Sequence, residues 1–140
     1  MLSLRLVIDT NVMVSAALKP DGLQRTTFLL AITKPGRLYV STPILEEYAD
    51  VLSRPELSIR KGLRLQLLQL IKNHSYLVSP SRRIEVTSDL DDNIFVECAD
   101  SARADFLITG NRKHFPVFWK NTKIITPREF VNLVAPHLIR

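Results

Sequence analysis

Three groups of carboxylates interrupt an otherwise basic sequence: Asp9 at the end of the apolar run Leu4-Arg5-Leu6-Val7-Ile8, the set Glu46, Glu47 and Asp50, and the set Asp89, Asp91 and Asp92. The bases collect elsewhere, at Arg54, Arg60, Lys61 and Arg64, at Arg82-Arg83 and at Arg112-Lys113. Nineteen Lys and Arg against 14 Asp and Glu leave a net charge of +5, which points to a polyanionic partner. Carboxylates that hold a divalent cation, set in a surface whose bases hold phosphates, are what a metal-dependent enzyme acting on nucleic acid requires.

The elements that must position these groups follow from the apolar pattern. Leu6-Val7-Ile8 is a consecutive β-favouring run, suited to a strand covered on both faces in a parallel sheet. Ligands of open α/β sheets bind beyond the carboxyl ends of the strands, where Asp9 stands. The same Asp can equally cap the helix that follows. Gly22 opens a helix through Leu23, Phe28, Leu29 and Ile32 that Pro35-Gly36 closes. Leu38-Tyr39-Val40 is a second strand, with Thr42 as N-cap and Pro43 as the first helical residue after it. From Pro43 to Leu52 the apolar stripe is Ile44, Leu45, Tyr48, Val51 and Leu52. Glu47 falls at its margin, beside Val51, whereas Glu46 and Asp50 point away.

A second long helix carries Leu63, Leu67, Leu68, Leu70 and Ile71 and pairs with the first as a hairpin, and Leu65 adds apolar surface outside its stripe. Tyr76-Leu77-Val78 and Ile84-Glu85-Val86 read as two short strands. Asp89-Leu90-Asp91-Asp92-Asn93 precedes a helix whose buried stripe is Ile94, Phe95, Cys98, Ala99 and Ala102, with Asp92 at its edge and Asn93, Glu97 and Asp100 on the polar face. Acids in a first turn also gain from the helix dipole, so Asp91 and Asp92 have a purely structural reading beside the functional one. Phe106-Leu107-Ile108-Thr109 is a strand ending in the turn Gly110-Asn111, and Lys123-Ile124-Ile125 is the last strand. Thr126-Pro127-Arg128-Glu129 is a capping-box pattern that explains Glu129 structurally and opens a closing helix through Phe130, Leu133 and Val134. This alternation specifies an α/β fold, a three-layer α/β/α sandwich with a mainly parallel sheet.

The length fits one domain over residues 1–140, and 46% apolar with 24% charged residues is a globular composition. Cys98 is the only cysteine, which rules out an intrachain disulfide, and its place in a helical stripe assigns it to the core. No segment has the length of a membrane span or the form of a cleaved leader, so a cytoplasmic protein without membrane contact is expected. His74, His114 and His137 are too scattered for a zinc site, and no glycine-rich phosphate loop is present.

Four patches resemble the PIN-domain family, from Leu6 to about Val134. LVIDTN is similar to the hydrophobic strand with its Asp-x-Asn signature. VSTPILEEY resembles the second motif, in which a strand-ending Ser precedes the acid by six positions, and counting from Ser41 reaches Glu47. SDLDDNIFVECADSARADFLITGN resembles the third and fourth motifs, with Asp92 at the metal-binding acid and Thr109-Gly110-Asn111 at the family's Thr-Gly-Asp. The resemblance implies a ribonuclease dependent on Mg²⁺ or Mn²⁺, of the kind found as the toxin of a toxin–antitoxin pair. It implies RNA as substrate, a small antitoxin protein as partner, and a homodimer or higher homo-oligomer. Asp9, Glu47 and Asp92 become catalytic and metal-binding residues, joined at the metal by Asn111, with Thr10, Asn11 and Thr109 supporting them. Arg112, Lys113, Arg60 and Arg64 become candidates for RNA backbone contacts. The sequence departs from the family at Asn111, which brings an amide where the fourth acid is expected and leaves three carboxylates for the ion.

Two other readings remain. An inactive PIN-like module that binds RNA or an antitoxin without cutting is motivated by Asn111. A haloacid-dehalogenase-like phosphatase would use Asp9 as nucleophile and Thr42 to hold phosphate, but it wants an acid two positions after Asp9, where Asn11 stands.

Overall fold

The computed structural model describes residues 3–139. Its centre is β1 (Leu4–Ile8), whose Leu6, Val7 and Ile8 are fully buried, as a continuous apolar run requires when helices cover both faces of a sheet. The chain runs outward from β1 to β2 (Gly36–Val40) and β3 (Ser75–Leu77), then returns to the other side of β1 with β4 (Phe106–Ile108) and β6 (Thr122–Ile125). These five strands are parallel; β5 (Phe118–Trp119) pairs antiparallel with β6 and closes the order β3-β2-β1-β4-β6-β5. The direction of winding reverses between β1 and β4, where Ile8 lies opposite Ile108. Such a switch point opens a crevice beyond the strand ends.

Helix α1 (Thr10–Leu18) follows β1 directly and packs on α2 (Leu23–Ala31) and on α3 (Thr42–Leu52). Helix α4 (Lys61–His74) packs on α1 and α3, α5 (Asn93–Ala102) lies across β1, β2 and β4, and α6 (Pro127–Val134) packs on α2. This is the three-layer α/β sandwich expected from the alternation of elements. The capping box at Thr126 and Glu129 forms in full, and Cys98 is buried, its thiol pushed up to about 12 by burial. The surplus apolar surface of α4 is present at Leu65, and Leu70, expected in the buried stripe, is exposed as well because it faces away from the side of α4 that buries Leu67 and Ile71. Among the described residues no helix is long and apolar enough to cross a membrane.

Four local expectations need correction. The N-cap of α3 is Ser41 rather than Thr42: the Ser41 hydroxyl accepts the Ile44 amide at 3.4 Å, and Pro43 still fits because the first turn of a helix needs no amide there. Ile84–Val86 is not a strand. The Ile84 amide donates to Glu97 Oε2 at 3.0 Å, and those of Val86 and Thr87 to Asn93 Oδ1 at 3.2 and 3.0 Å, so side chains of α5 replace a strand partner. Asn93 is for that reason buried rather than on a polar face. Strand β5 was not anticipated, because two residues are too short to display a period.

Gly36 marks a close approach of α2 to β2: a Cβ there would lie 2.5 Å from the Leu30 carbonyl oxygen and 3.0 Å from that of Ala31. Gly62, in α4, has open space around it. Gly36→Ala is expected to destabilise the protein by about 1–3 kcal/mol, and Gly62→Ala to stabilise it by about 0.4–1 kcal/mol. Denaturant unfolding of the two variants checks both signs.

Candidate functional site

Asp9 follows β1 on the switch-point crevice, its backbone amide donating to the Ile108 carbonyl at 2.9 Å. It occupies the N-cap position of α1, yet its side chain makes no cap bond. Its carboxylate instead accepts the Thr109 hydroxyl at 2.7 Å from the end of β4. Of the two roles open to Asp9 in the sequence, the structure thus excludes ordinary side-chain capping. Thr109, fully buried, also accepts the Asn111 amide at 3.0 Å, which folds the strand-end turn back towards Asp9. Asn11 closes the other side, its Oδ1 accepting the Gly110 amide at 3.2 Å.

Helix α3 brings the second carboxylate. The buried Tyr48 hydroxyl donates to the Ile8 carbonyl, fastening α3 to the end of β1, and the preceding residue is thereby turned towards Asp9. Glu47 is half-buried and accepts the Thr10 hydroxyl, whereas Glu46 is exposed, as the apolar stripe indicated. Asp92 enters from the start of α5, where a 3-10 turn over Leu90–Asp92 is capped by Asp89 accepting the Asp91 amide at 3.0 Å. Its Oδ2 lies 3.3 Å from His114 Nδ1.

These groups line one open cleft of about 460 Å³. Asp9, Glu47, Asp92 and Asn111 are all on its wall, together with Thr10 and Asn11, while Thr109 supports Asp9 from behind. Thr42, which the phosphatase alternative needs beside Asp9, lies outside this cleft. The four bases proposed for RNA also lie outside its wall. Arg60 and Arg64 are at the start of α4, Lys113 is exposed in the loop after β4, and Arg112 is drawn off into a pair with Glu129 at 2.5 Å.

Four ionisable residues on this wall are outside the site expected from the sequence: Arg54, Asp89, Asp91 and His114. Asp89 and Asp91 belong to the third carboxylate group of the sequence, of which only Asp92 has a counterpart in the family resemblance. His114 was judged against the other histidines, although it sits on the same strand-end loop as Asn111. Arg54 lies two residues beyond the end of α3 in extended backbone, where helical spacing no longer places a side chain.

Burial pushes Asp9 up from the usual carboxylate range to about 6; the bond from Thr109 opposes this, and the neighbouring charges of Asp92 and Glu47 add to the rise. Glu47 and Asp92 are raised as well, first by burial, with Asp91 and Asp92 adding to it at Glu47 and Asp89 at Asp92. Among the described residues no three acids, histidines or cysteines already converge on a common point. The donor set nevertheless fits a hard divalent cation: it is rich in oxygen, partly desolvated, and composed of carboxylates that raise one another.

Because the folded protein retains the Asp9 proton between about pH 4 and about pH 6 while the unfolded chain has lost it, stability falls as pH rises through that window. The loss amounts to roughly 3 kcal/mol and is complete above it. In EDTA, the difference in stability between about pH 5 and about pH 7.5 is expected to shrink in Asp9→Asn. Unfolding titrations at the two pH values measure this; an equal difference in wild type and variant contradicts it.

The chain has counterparts in sequence and in fold. The uncharacterized protein MJ1680 of Methanocaldococcus jannaschii is 28% identical over 142 residues, covering 93% of this chain and 91% of that protein. A chain in the crystal structure of VapBC2 from Rickettsia felis, bound to a DNA fragment from their promoter, has the same fold. It superposes with a TM-score of 0.58 at 15% identity, over 88% of this chain and 98% of that one. The sequence pattern of the PIN domain matches residues 5–113, a span that holds Asp9, Glu47, Asp92 and Asn111. The chain belongs to the PIN-domain family.

Proposed function

We propose that the protein is an endoribonuclease dependent on Mg²⁺ or Mn²⁺, and that it acts as the toxin of a toxin–antitoxin pair with a small antitoxin protein as its partner. The observation that carries the reading is the convergence of Asp9, Glu47 and Asp92 on one cleft beyond the ends of β1 and β4, with a raised carboxyl at each. Asp9, Glu47 and Asp92 would hold the ion, and Asn111 would offer a neutral oxygen beside them. A divalent cation held there would make a bound water more acidic and would offset part of the charge of the phosphate.

The chain's own residues do the positioning. Thr109 fixes the carboxylate of Asp9 and Thr10 that of Glu47, so two of the three acids are oriented by hydroxyls that are themselves buried. Asn11 holds the turn that carries Asn111. The exposed apolar residues of α4, Leu65 and Leu70, are the surface offered for self-association or for the antitoxin. A second reading, a PIN-like module that binds without cutting, rests on Asn111, which leaves the cleft one charge short of the family pattern.

Digestion of single-stranded RNA by pure protein, with Mn²⁺ and with EDTA, separates the two readings. Asp9→Asn, Glu47→Gln and Asp92→Asn are each expected to abolish metal-dependent cleavage with the fold retained, and Glu46→Gln to leave it near the wild-type rate. Activity lost in Glu46→Gln and kept in Glu47→Gln would contradict the assignment. Asn111→Asp is expected to tighten Mn²⁺ binding in a calorimetric titration and to lower the melting temperature in EDTA, because a further acid joins those that already repel. No change in either quantity would remove Asn111 from the ion site.

A further inference from the structure

Among the described residues lining the cleft, Arg54 is the one arginine or lysine. Its charge partly offsets the rise of Glu47, and its one ion pair is weak. The pair with Asp50 is 3.5 Å long between side chains 54% and 73% exposed, and a surface pair of that kind holds a guanidinium only weakly. Its backbone, by contrast, is fixed. The Arg54 amide donates to Val51 at 3.1 Å, its carbonyl accepts the Leu57 amide at 3.1 Å, and Pro55 confines it to the extended conformation it adopts. A locked backbone with a free guanidinium extends the face on which Glu47 and Val51 meet the cleft.

The charge around it defines what it can bind. Asp9, Glu47, Asp89, Asp91 and Asp92 all line this wall, so a phosphodiester entering the cleft meets carboxylates. A divalent ion offsets only part of that charge. A guanidinium is permanently charged and presents a planar fork that matches two oxygens of one phosphate. Arg112 is already held by Glu129, and Arg60 and Arg64 are not on the wall. We infer that Arg54 binds the phosphate of an RNA strand in the cleft, at the scissile or the adjoining position, and is the principal cationic contact there. This assignment rests on the nuclease reading proposed above.

The test compares wild type, Arg54→Ala, Arg54→Lys, Asp50→Asn and Asp9→Asn on one single-stranded RNA with Mn²⁺ across a range of salt. Arg54→Ala is expected to lower kcat/KM by roughly 10- to 100-fold. It should also flatten the slope of log KM against log salt by about 0.7, the loss of one phosphate contact on a single strand. Mn²⁺ affinity by calorimetry and the melting temperature should stay at wild-type values. Arg54→Lys should recover part of the loss, and Asp50→Asn should cleave as the wild type does. If Arg54→Ala cleaves like the wild type while Asp9→Asn is dead, the Arg54 assignment is overturned and the nuclease reading stands. Equal losses in Arg54→Ala and Asp50→Asn, or a fall in Mn²⁺ affinity with Arg54→Ala, would also overturn it. Absence of metal-dependent cleavage by the wild type overturns the nuclease reading and this assignment with it.

Discussion

Asp9 follows a strand that has neighbours on both sides and helices on both faces, and it is buried on the wall of the cleft. Burying an ionised carboxylate is costly unless bonds and charges compensate. Much of what surrounds it answers that constraint. β4 ends in Thr109, whose hydroxyl reaches the carboxylate, and the Asn11–Gly110 contact ties the two strand ends together. The Thr10 backbone also favours the charged form, whereas Asp92 and Glu47 raise Asp9 further. Acids that raise one another at a switch point are the arrangement on which the proposed cation site rests.

Loop 78–92 illustrates how the same helix serves structure and site. Asn93 and Glu97 take the amides of Ile84, Val86 and Thr87, and Thr87 donates its hydroxyl to Asn93 at 2.7 Å. The loop thereby descends onto the start of α5 in one path, and the turn over Leu90–Asp92 presents Asp92 to the cleft while Asp89 caps it from its own side chain. Asp89 and Asp91 add negative charge on the same wall. The amide of Asn111 thus stands in a cleft that is already rich in acids beyond the three assigned to the ion.

Legibility in the sequence followed period and length. Five of the six strands rest on apolar runs bounded by turn residues and the helices on a repeat near 3.6, and most of the buried faces of α3 and α5 emerged, with Asn93 the exception on α5. Glu47 was separable from Glu46 because one residue of rotation on a helix, about 100°, moves a side chain from the margin of the stripe to the open face. What failed lacked such a repeat. Ile84-Glu85-Val86 alternates like a strand but finds its partners on α5 side chains, a tertiary arrangement that no local pattern encodes. Arg54 and His114 join the cleft from positions just beyond a helix and a strand, where the period that would have located them stops.

The central claim is that Asp9, Glu47 and Asp92 tolerate one another because a hard divalent cation joins them. Anomalous diffraction from crystals equilibrated with Mn²⁺ tests it most directly. A manganese peak is expected in the cleft within direct coordination distance of Asp9 and Asp92, with Glu47 bound directly or through one water. A cleft without a peak at saturating Mn²⁺, or a peak held by Asp89 and Asp91 away from Asp9, would contradict it.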